Sequence, residues 1–203
     1  MGSRTRILLY FMVAAIFLIV GITMRLPQLM DDSGSQSSGE VAIGGAFELV
    51  DPKGNLVTDK DLLGSYTLIN FGYTFCPDVC PTGLQTAAMA LDMLPKEKMN
   101  KVVSLFITID PERDTPKVMG EYTKHFHESL IGLSGSTEQV AKAAKAYRVY
   151  YKKVAEDGKA ADDYLMDHSA FQYLVGPDGK YLTHFPHGIS PEDMAKKLEA
   201  YIK

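Results

Sequence analysis

The sequence predicts a mixed α/β domain that begins with a β-hairpin and is preceded by one transmembrane helix. Residues 7–24 form an apolar run without a charged side chain. Two β-rich apolar runs, 67–73 and 102–109, flank a helical pattern at 81–94, which indicates parallel strands joined by a right-handed crossover. Turn residues at 51–54 and 176–179 then predict a hairpin near each end of the domain.

The N-terminal segments predict a membrane-anchored protein. Arg4 and Arg6 should keep residues 1–6 in the cytoplasm or the mitochondrial matrix, because basic flanks stay inside. The 18 residues 7–24 are long enough for a transmembrane anchor, and 25–40 includes a Ser/Gly-rich flexible tether. The domain 41–203 should therefore face the periplasm or the mitochondrial intermembrane space from a single-pass inner-membrane anchor. A cleaved signal peptide is the alternative, but no small-x-small cleavage site follows the run.

The order of elements predicts a thioredoxin-like fold. Further helices are expected at 116–127, 137–148 and 190–202, the second capped by Ser136 or Thr137. The hairpins should pair 46–50 with 55–58 and 171–175 with 180–185. Parallel strands followed by an antiparallel hairpin and a terminal helix match a thioredoxin-like sheet, although a fold alone does not assign a function.

The charge distribution argues against a nucleic-acid partner. The net charge is −4, and the first 25 residues hold three arginines and no acid. The remaining chain therefore has 18 basic and 25 acidic residues. Such a domain lacks the basic excess that phosphate backbones require, whereas a metal cation or a basic protein remains a suitable partner.

The two cysteines of the chain, Cys76 and Cys80, lie where the first buried strand ends and a helix begins. A helix N-terminus stabilises thiolates, which serve both as nucleophiles and as soft metal ligands. Thioredoxin-like oxidoreductases separate their cysteines by two residues, but here three intervene. The wider loop can direct both sulfurs at one ion, with Cu(I) favoured and zinc as a competitor.

His168 is the candidate third ligand. In a thioredoxin-like sheet, the segment that enters the strand at 171–175 passes beside the dithiol, and thioredoxins usually carry proline there. A neutral imidazole suits an ion already held by two thiolates. Asp167 either orients this imidazole or is a solvated carboxylate.

Five segments together resemble the Sco/SenC family of copper chaperones for cytochrome c oxidase. They are YTFCPDVCP at 73–81, TIDPERDT at 108–115, AYRVYY at 146–151, DHS at 167–169 and LVGPDG at 174–179. The resemblance covers about residues 41–203. It implies a thioredoxin-like domain whose metal ligands are Cys76, Cys80 and His168, binding Cu(I) and Cu(II).

The resemblance also implies a role in assembling the CuA site of oxidase subunit II. The protein would deliver copper to that subunit, reduce its cysteines, or do both, with another copper chaperone and a thioredoxin-like reductant as further partners. Whether it is an enzyme stays open. It would act mainly as a metallochaperone, and only a thiol-disulfide reductase activity of the redox-active pair Cys76 and Cys80 would be catalytic. The alternatives are a thiol-disulfide oxidoreductase, which does not need His168, and a copper or redox sensor. A thiol peroxidase is disfavoured, because Thr74 stands two residues before Cys76 rather than three.

The remaining polar and sulfur-containing side chains are expected to have structural roles. Four charged residues follow the second strand, near where the site should open, and are predicted to form a turn with surface ion pairs: Asp110, Glu112, Arg113 and Asp114. The alternative is that they receive a basic partner or support the loop. The histidines 125, 127, 184 and 187 are predicted to lie at the surface, with the first two at a helix end. Helical methionines are usually core residues, which is the expectation for Met89, Met93 and Met119.

Overall fold

The computed structural model describes residues 43–155 and 163–203. Within those two ranges, every helix is too short or too polar to cross a bilayer. The predicted anchor at 7–24 and the tether at 25–40 lie outside the described residues, so both remain predictions.

The strands of the described part form one large and two small sheets. In chain order they are β1 Glu48–Val50, β2 Leu56–Thr58, β3 Tyr66–Gly72, β4 Val102–Thr108, β5 Leu130–Leu133, β6 Tyr151–Ala155, β7 Tyr164–His168, β8 Gln172–Val175 and β9 Tyr181–Phe185. The central sheet has the order β5-β4-β3-β8-β9. Its first three strands are parallel, β8 runs antiparallel to β3, and β9 runs antiparallel to β8. The predicted parallel pair, the late hairpin and the N-terminal hairpin β1–β2 are therefore confirmed.

Helices cover both faces of the central sheet. They are α1 Val79–Asp92, α2 Lys96–Met99, α3 Pro116–Thr123, α4 Thr137–Ala146 and α5 Pro191–Tyr201. One apolar cluster joins α1 and α5 to the sheet, and the other contains the buried side chains of α3 and α4. Every residue of β3 is buried, which explains its continuous apolar pattern. This sheet fixes the position of the loop that follows β3, where the cysteines lie.

Two helices end earlier than the sequence predicts. Helix α3 ends at Thr123, whose hydroxyl donates to the carbonyl of Met119 and so competes with continued helix formation. Helix α4 ends at Ala146, because Arg148 adopts a left-handed φ of 56°. The Val149 N–H then donates to the carbonyl of Ala144 at 2.8 Å, which closes the helix end.

The antiparallel pair β6–β7 was not predicted from the sequence. Its register places Tyr151 opposite His168 and Ala155 opposite Tyr164. Strand β6 is largely exposed and contains two consecutive lysines. Its sequence therefore does not show the alternation of apolar and polar residues that identifies a half-buried strand. We call β6 and β7 the His arm, because His168 is the last residue of β7.

Three predictions about individual side chains are wrong. Met89 and Met93 are 41% and 47% exposed, because α1 buries its opposite face through Leu84, Ala87, Ala88 and Leu91. His127 has a side chain only 9% exposed and contacts Asp92 and Ser129. The expectation for Met119 is confirmed, since it is fully buried, and the other three histidines are exposed.

Candidate metal centre

The structure brings the three predicted ligand residues together. The sulfur atoms of Cys76 and Cys80 and a ring nitrogen of His168 all lie within 4.8 Å of one another. The Cys80 Sγ is 3.5 Å from the His168 Nε2. Both cysteines are free thiols and are buried, and His168 is half-buried. Residues 88 positions apart in the chain therefore present their donor atoms to one small volume.

The two cysteines are held differently. Cys80 lies in the first turn of α1, directly over the end of β3, and Cys76 lies in the loop before that helix. The backbone N–H of Cys80 donates to the Cys76 Sγ at 3.3 Å, as expected for a thiolate at a helix N-terminus. Gly72 allows the close approach of Cys80, because a Cβ there would lie only 2.5 Å from the Cys80 Sγ.

His168 is oriented with one nitrogen toward the sulfurs. Its Nδ1 lies 3.0 Å from the carbonyl oxygen of Ser169, so this nitrogen carries the proton and donates. The Nε2 is then the atom with a lone pair available for a metal. Asp167 is exposed and does not provide this hydrogen bond, so the orienting group is the Ser169 carbonyl.

The three groups shift one another's protonation. The Cys80 thiol lowers the pKa of Cys76 by hydrogen bonding to it, and His168 and nearby backbone N–H groups add to this effect against the opposing effect of burial. The same contact, together with burial, raises the pKa of Cys80. Burial alone would lower the pKa of His168, but the contacts with Cys76 and the Ser169 carbonyl outweigh it and raise that pKa. In the metal-free protein, Cys76 is therefore the thiolate of the pair.

Cys76 is expected to react with iodoacetamide at almost the same rate at pH 6 and pH 8. Its lowered pKa keeps it ionised throughout this range, so acidification from pH 8 to 6 removes little thiolate. An ordinary thiol with a pKa near 8.5 would slow roughly 75-fold over the same interval. Peptide mapping of the alkylated native protein measures the Cys76 rate, with the denatured chain as the control. A native Cys76 rate that follows the ordinary thiol profile would contradict the assignment.

The acidic loop after β4, residues 110–114, holds the cysteine loop in place through hydrogen bonds. Asp114 is fully buried and accepts hydrogen bonds from the Thr74 N–H at 3.0 Å and from the Thr108 hydroxyl at 2.7 Å. Burial raises the pKa of Asp114, although both threonines stabilise its charged form. Asp114 therefore ties the residue two positions before Cys76 to the end of β4.

The predicted surface turn is wrong for Asp110 and Asp114, because both carboxylates are buried. Asp110 accepts from the Tyr164 hydroxyl at 2.7 Å and pairs with the Arg113 Nε at 2.5 Å. Charged side chains are normally exposed, but pairing and hydrogen bonds make their burial possible. The prediction holds for Glu112, which forms an exposed ion pair with Lys153.

Sequence reasoning places this loop near the opening of the site but favours surface ion pairs, and so misses that its buried carboxylates support the cysteine loop. The available signal was its position, because the carboxyl ends of the parallel strands β3 and β4 lie side by side. The cysteine loop follows β3, and the acidic loop follows β4. Tyr73 was also missed: its hydroxyl accepts from the Met166 N–H at 3.1 Å, and its ring contacts the His168 ring edge-on.

Fold and site together define a thioredoxin-like domain with a two-cysteine, one-histidine cluster at the end of its parallel strands. The SCO1/SenC family model matches residues 35–203. The chain belongs to the SCO1/SenC family.

Relatives and solved structures agree with this assignment. Protein sco1 of Schizosaccharomyces pombe is 41% identical over 177 residues, covering 87% of this chain and 67% of that protein. A SCO2-like protein of Rickettsia felis is 43% identical over 159 residues, covering 78% and 77%. The structure of Bradyrhizobium japonicum ScoI with copper bound has a TM-score of 0.71 at 46% identity, covering 79% and 99%. The thioredoxin-like fold is thus confirmed.

Proposed function

We propose that this protein binds one copper ion through Cys76, Cys80 and His168 and supplies it to the CuA site of cytochrome c oxidase subunit II. The observation that carries the proposal is the convergence of two sulfurs and one imidazole nitrogen within 4.8 Å. The copper-bound state of Bradyrhizobium japonicum ScoI supports copper as the cargo. The target follows from the resemblance to Sco/SenC proteins.

The donor set suits copper and does not form a closed structural zinc site. Two thiolates favour soft Cu(I), and an imidazole with a free Nε2 also suits Cu(II). Structural zinc sites are almost always four-coordinate. Among the described residues, the group of potential metal ligands contains three members and no fourth. A three-donor cluster also leaves one side of the ion open to an incoming ligand.

Delivery would proceed by ligand exchange. The cysteines bind copper only when both are reduced, because a disulfide offers no thiolate. Cys76 lies in the loop, whereas Cys80 is fixed by helix α1 and packs over Gly72. An incoming cysteine thiolate of the partner would therefore bond to copper first and replace Cys76, after which Cys80 and His168 are displaced. The ion stays coordinated throughout.

A thiol-disulfide reductase activity is the second candidate, favoured by the unequal protonation of the cysteines. The Cys76 thiolate would attack one sulfur of a target disulfide, which releases the other target sulfur as a thiolate and forms a mixed disulfide. Cys80 would then lose its proton and attack the Cys76 sulfur, which displaces the bound target sulfur and leaves the Cys76–Cys80 disulfide. Two electrons pass from the dithiol to the target. A thioredoxin-like reductant would restore the dithiol, so the same cysteines could prepare the target and then load it.

Membrane attachment is part of the proposal. Residues 7–24 would anchor the chain, with 1–6 on the cytoplasmic or matrix side and 25–40 as a tether. The copper domain 41–203 would then lie in the periplasm or the intermembrane space, next to the membrane that contains the oxidase. Relatives in a yeast and in a bacterium are compatible with either membrane.

A strain lacking this protein is expected to lose cytochrome c oxidase activity and to regain it when copper is added to the medium. Plasmid-encoded wild type should restore activity without added copper, whereas the His168→Ala variant should not, because it keeps both thiols but lacks the third ligand. Oxidase activity of isolated membranes measures the outcome, with immunoblotting for equal protein levels. Full restoration by His168→Ala without copper would favour the reductase and overturn copper delivery.

A further inference from the structure

His168 is carried on an arm that stands apart from the central sheet. In the described part of the chain, β6 and β7 pair only with each other and form a separate two-stranded sheet. Both cysteines, in contrast, are attached to the end of β3 and the start of α1. Apart from the short link between His168 and β8, the distance between the imidazole and the sulfurs therefore depends on contacts between the His arm and the domain.

Strand β7 directs alternate side chains toward the domain. Tyr164, Met166 and His168 share one face of the strand, and the first two are buried. Tyr164 and Met166 are thus the points at which the arm is attached, four and two residues before the histidine, respectively. The backbone N–H of Met166 donates to the Tyr73 hydroxyl at 3.1 Å.

Arg113 joins the arm to the cysteine loop. Its Nη1 donates to the backbone carbonyl of Tyr164 at 3.0 Å, and its guanidinium lies 3.7 Å from the centre of the Tyr164 ring. The same guanidinium lies 4.6 Å from the ring centre of Phe75, which directly precedes Cys76. Asp110 fixes it by accepting from its Nε at 2.5 Å and also accepts from the Tyr164 hydroxyl at 2.7 Å.

We propose that Arg113, held by Asp110, is a positioning residue that sets the approach of His168 to the two sulfurs. This inference rests on the proposed copper site. The planar guanidinium can bond to a carboxylate and a carbonyl while stacking between two rings, which an ammonium group cannot reproduce. None of its described contacts is with a metal-binding atom. Its hydrogen bond to Tyr164 holds the arm, whereas it meets the cysteine loop only through aromatic rings, so its loss should displace the imidazole and leave the two-thiolate site.

A double-mutant cycle in the full-length protein tests this dependence. Arg113→Gln is expected to weaken Cu(I) binding by roughly 10–100-fold, the cost of losing a group that orients a ligand. In a His168→Ala background, the same change should alter the affinity by no more than about twofold, because the ligand it positions is already absent. Equal losses in both backgrounds, or no loss in the wild-type background, would overturn the proposal.

Two further variants separate positioning from folding. Arg113→Gln leaves the Asp110 carboxylate without its ion pair, so the paired change Arg113→Gln/Asp110→Asn tests the same contact without that buried charge. It should weaken Cu(I) binding as the single change does, and wild-type affinity would contradict the role. Lys152→Gln is the matched control, because it removes one positive charge from an exposed position on the same arm. It should change the affinity by no more than about twofold.

Hydrogen exchange in the copper-free protein gives a readout that does not depend on the metal. Arg113→Gln should accelerate exchange of the Met166 amide by about tenfold or more while leaving the Phe106 amide of the central sheet unchanged. If His168→Ala alone leaves copper affinity unchanged, the proposed ligand set fails, and this exchange experiment still decides whether Arg113 holds the arm. Unchanged exchange at Met166 would show that it does not.

Discussion

Cys76→Ser is expected to reduce Cu(I) affinity by more than about 100-fold. Loss of a group that only orients a ligand costs up to roughly 100-fold, and loss of a ligand itself should cost more. The change replaces a soft thiolate by a hard, protonated hydroxyl of similar size, which Cu(I) does not favour. Cys80→Ser should have a comparable effect, because each sulfur is one of three donors within 4.8 Å. Competition between the reduced protein and a colorimetric Cu(I) chelator measures the affinities.

The matched control for this comparison is Asp78→Asn. Asp78 lies between the cysteines and is exposed, and its side chain does not cap α1. The change alters the charge of the loop but removes no donor, so the affinity should stay within about threefold of wild type. If either serine variant binds Cu(I) as tightly as Asp78→Asn does, the dithiol is not the copper site.

Gly72→Ala is expected to damage both the fold and the metal site. The new Cβ would lie 2.5 Å from the Cys80 Sγ and 2.8 Å from the Phe106 Cε2. Both neighbours are buried, so relief requires movement of the first turn of α1 or of the β4 core. Overpacking of this kind costs about 1–3 kcal/mol in the free energy of unfolding. Copper affinity should fall as well, because the displaced atom is one of the proposed ligands.

Gly83→Ala provides the control for a glycine change near the same site. Gly83 lies inside α1, and a Cβ there would meet the Gln172 Nε2 at 3.5 Å, an ordinary contact. Alanine is a better helix former, so this variant should gain about 0.5–1 kcal/mol. Urea unfolding and copper titration of both variants test the pair of predictions. Wild-type stability and affinity in Gly72→Ala would show that Cys80 is not packed against this glycine.

The convergence of the three proposed donor residues could be predicted, because its signals are local or tied to the fold. The cysteine spacing and the following helix were visible directly, and α1 buries the apolar face that its periodicity indicates. His168 could be placed only through the expected topology, since residues 88 positions apart have no local relation. The thioredoxin-like topology supplied that relation, because the segment that enters the strand at 171–175 passes beside the dithiol in such a sheet.

The supporting structure could not be predicted, because its residues look ordinary in the sequence. Asp110, Arg113 and Asp114 are charged, and charge normally indicates exposure. Their burial depends on partners from distant segments, such as Thr74, 40 residues before Asp114, and Tyr164, 54 residues after Asp110. The largely exposed β6, which contains two lysines, likewise gave no strand signal.

The arrangement explains how a thioredoxin-like domain can present three potential ligand atoms to one metal ion. The helix N-terminus stabilises one thiolate, as it would in a redox protein, and the three-residue spacing keeps both sulfurs near one point. The addition is an imidazole on an arm beside the sheet, oriented by the Ser169 carbonyl. The buried acidic loop connects these parts through Asp114 to the cysteine loop and through Asp110 to the arm.

X-ray absorption at the copper edge tests the central claim most directly. The reduced full-length protein, loaded with one equivalent of Cu(I), should show two sulfur neighbours and one imidazole nitrogen, and His168→Ala should remove the imidazole signal alone. A copper ion with the same surroundings in wild type and His168→Ala, or one without two sulfur neighbours in wild type, would contradict joint binding by Cys76, Cys80 and His168.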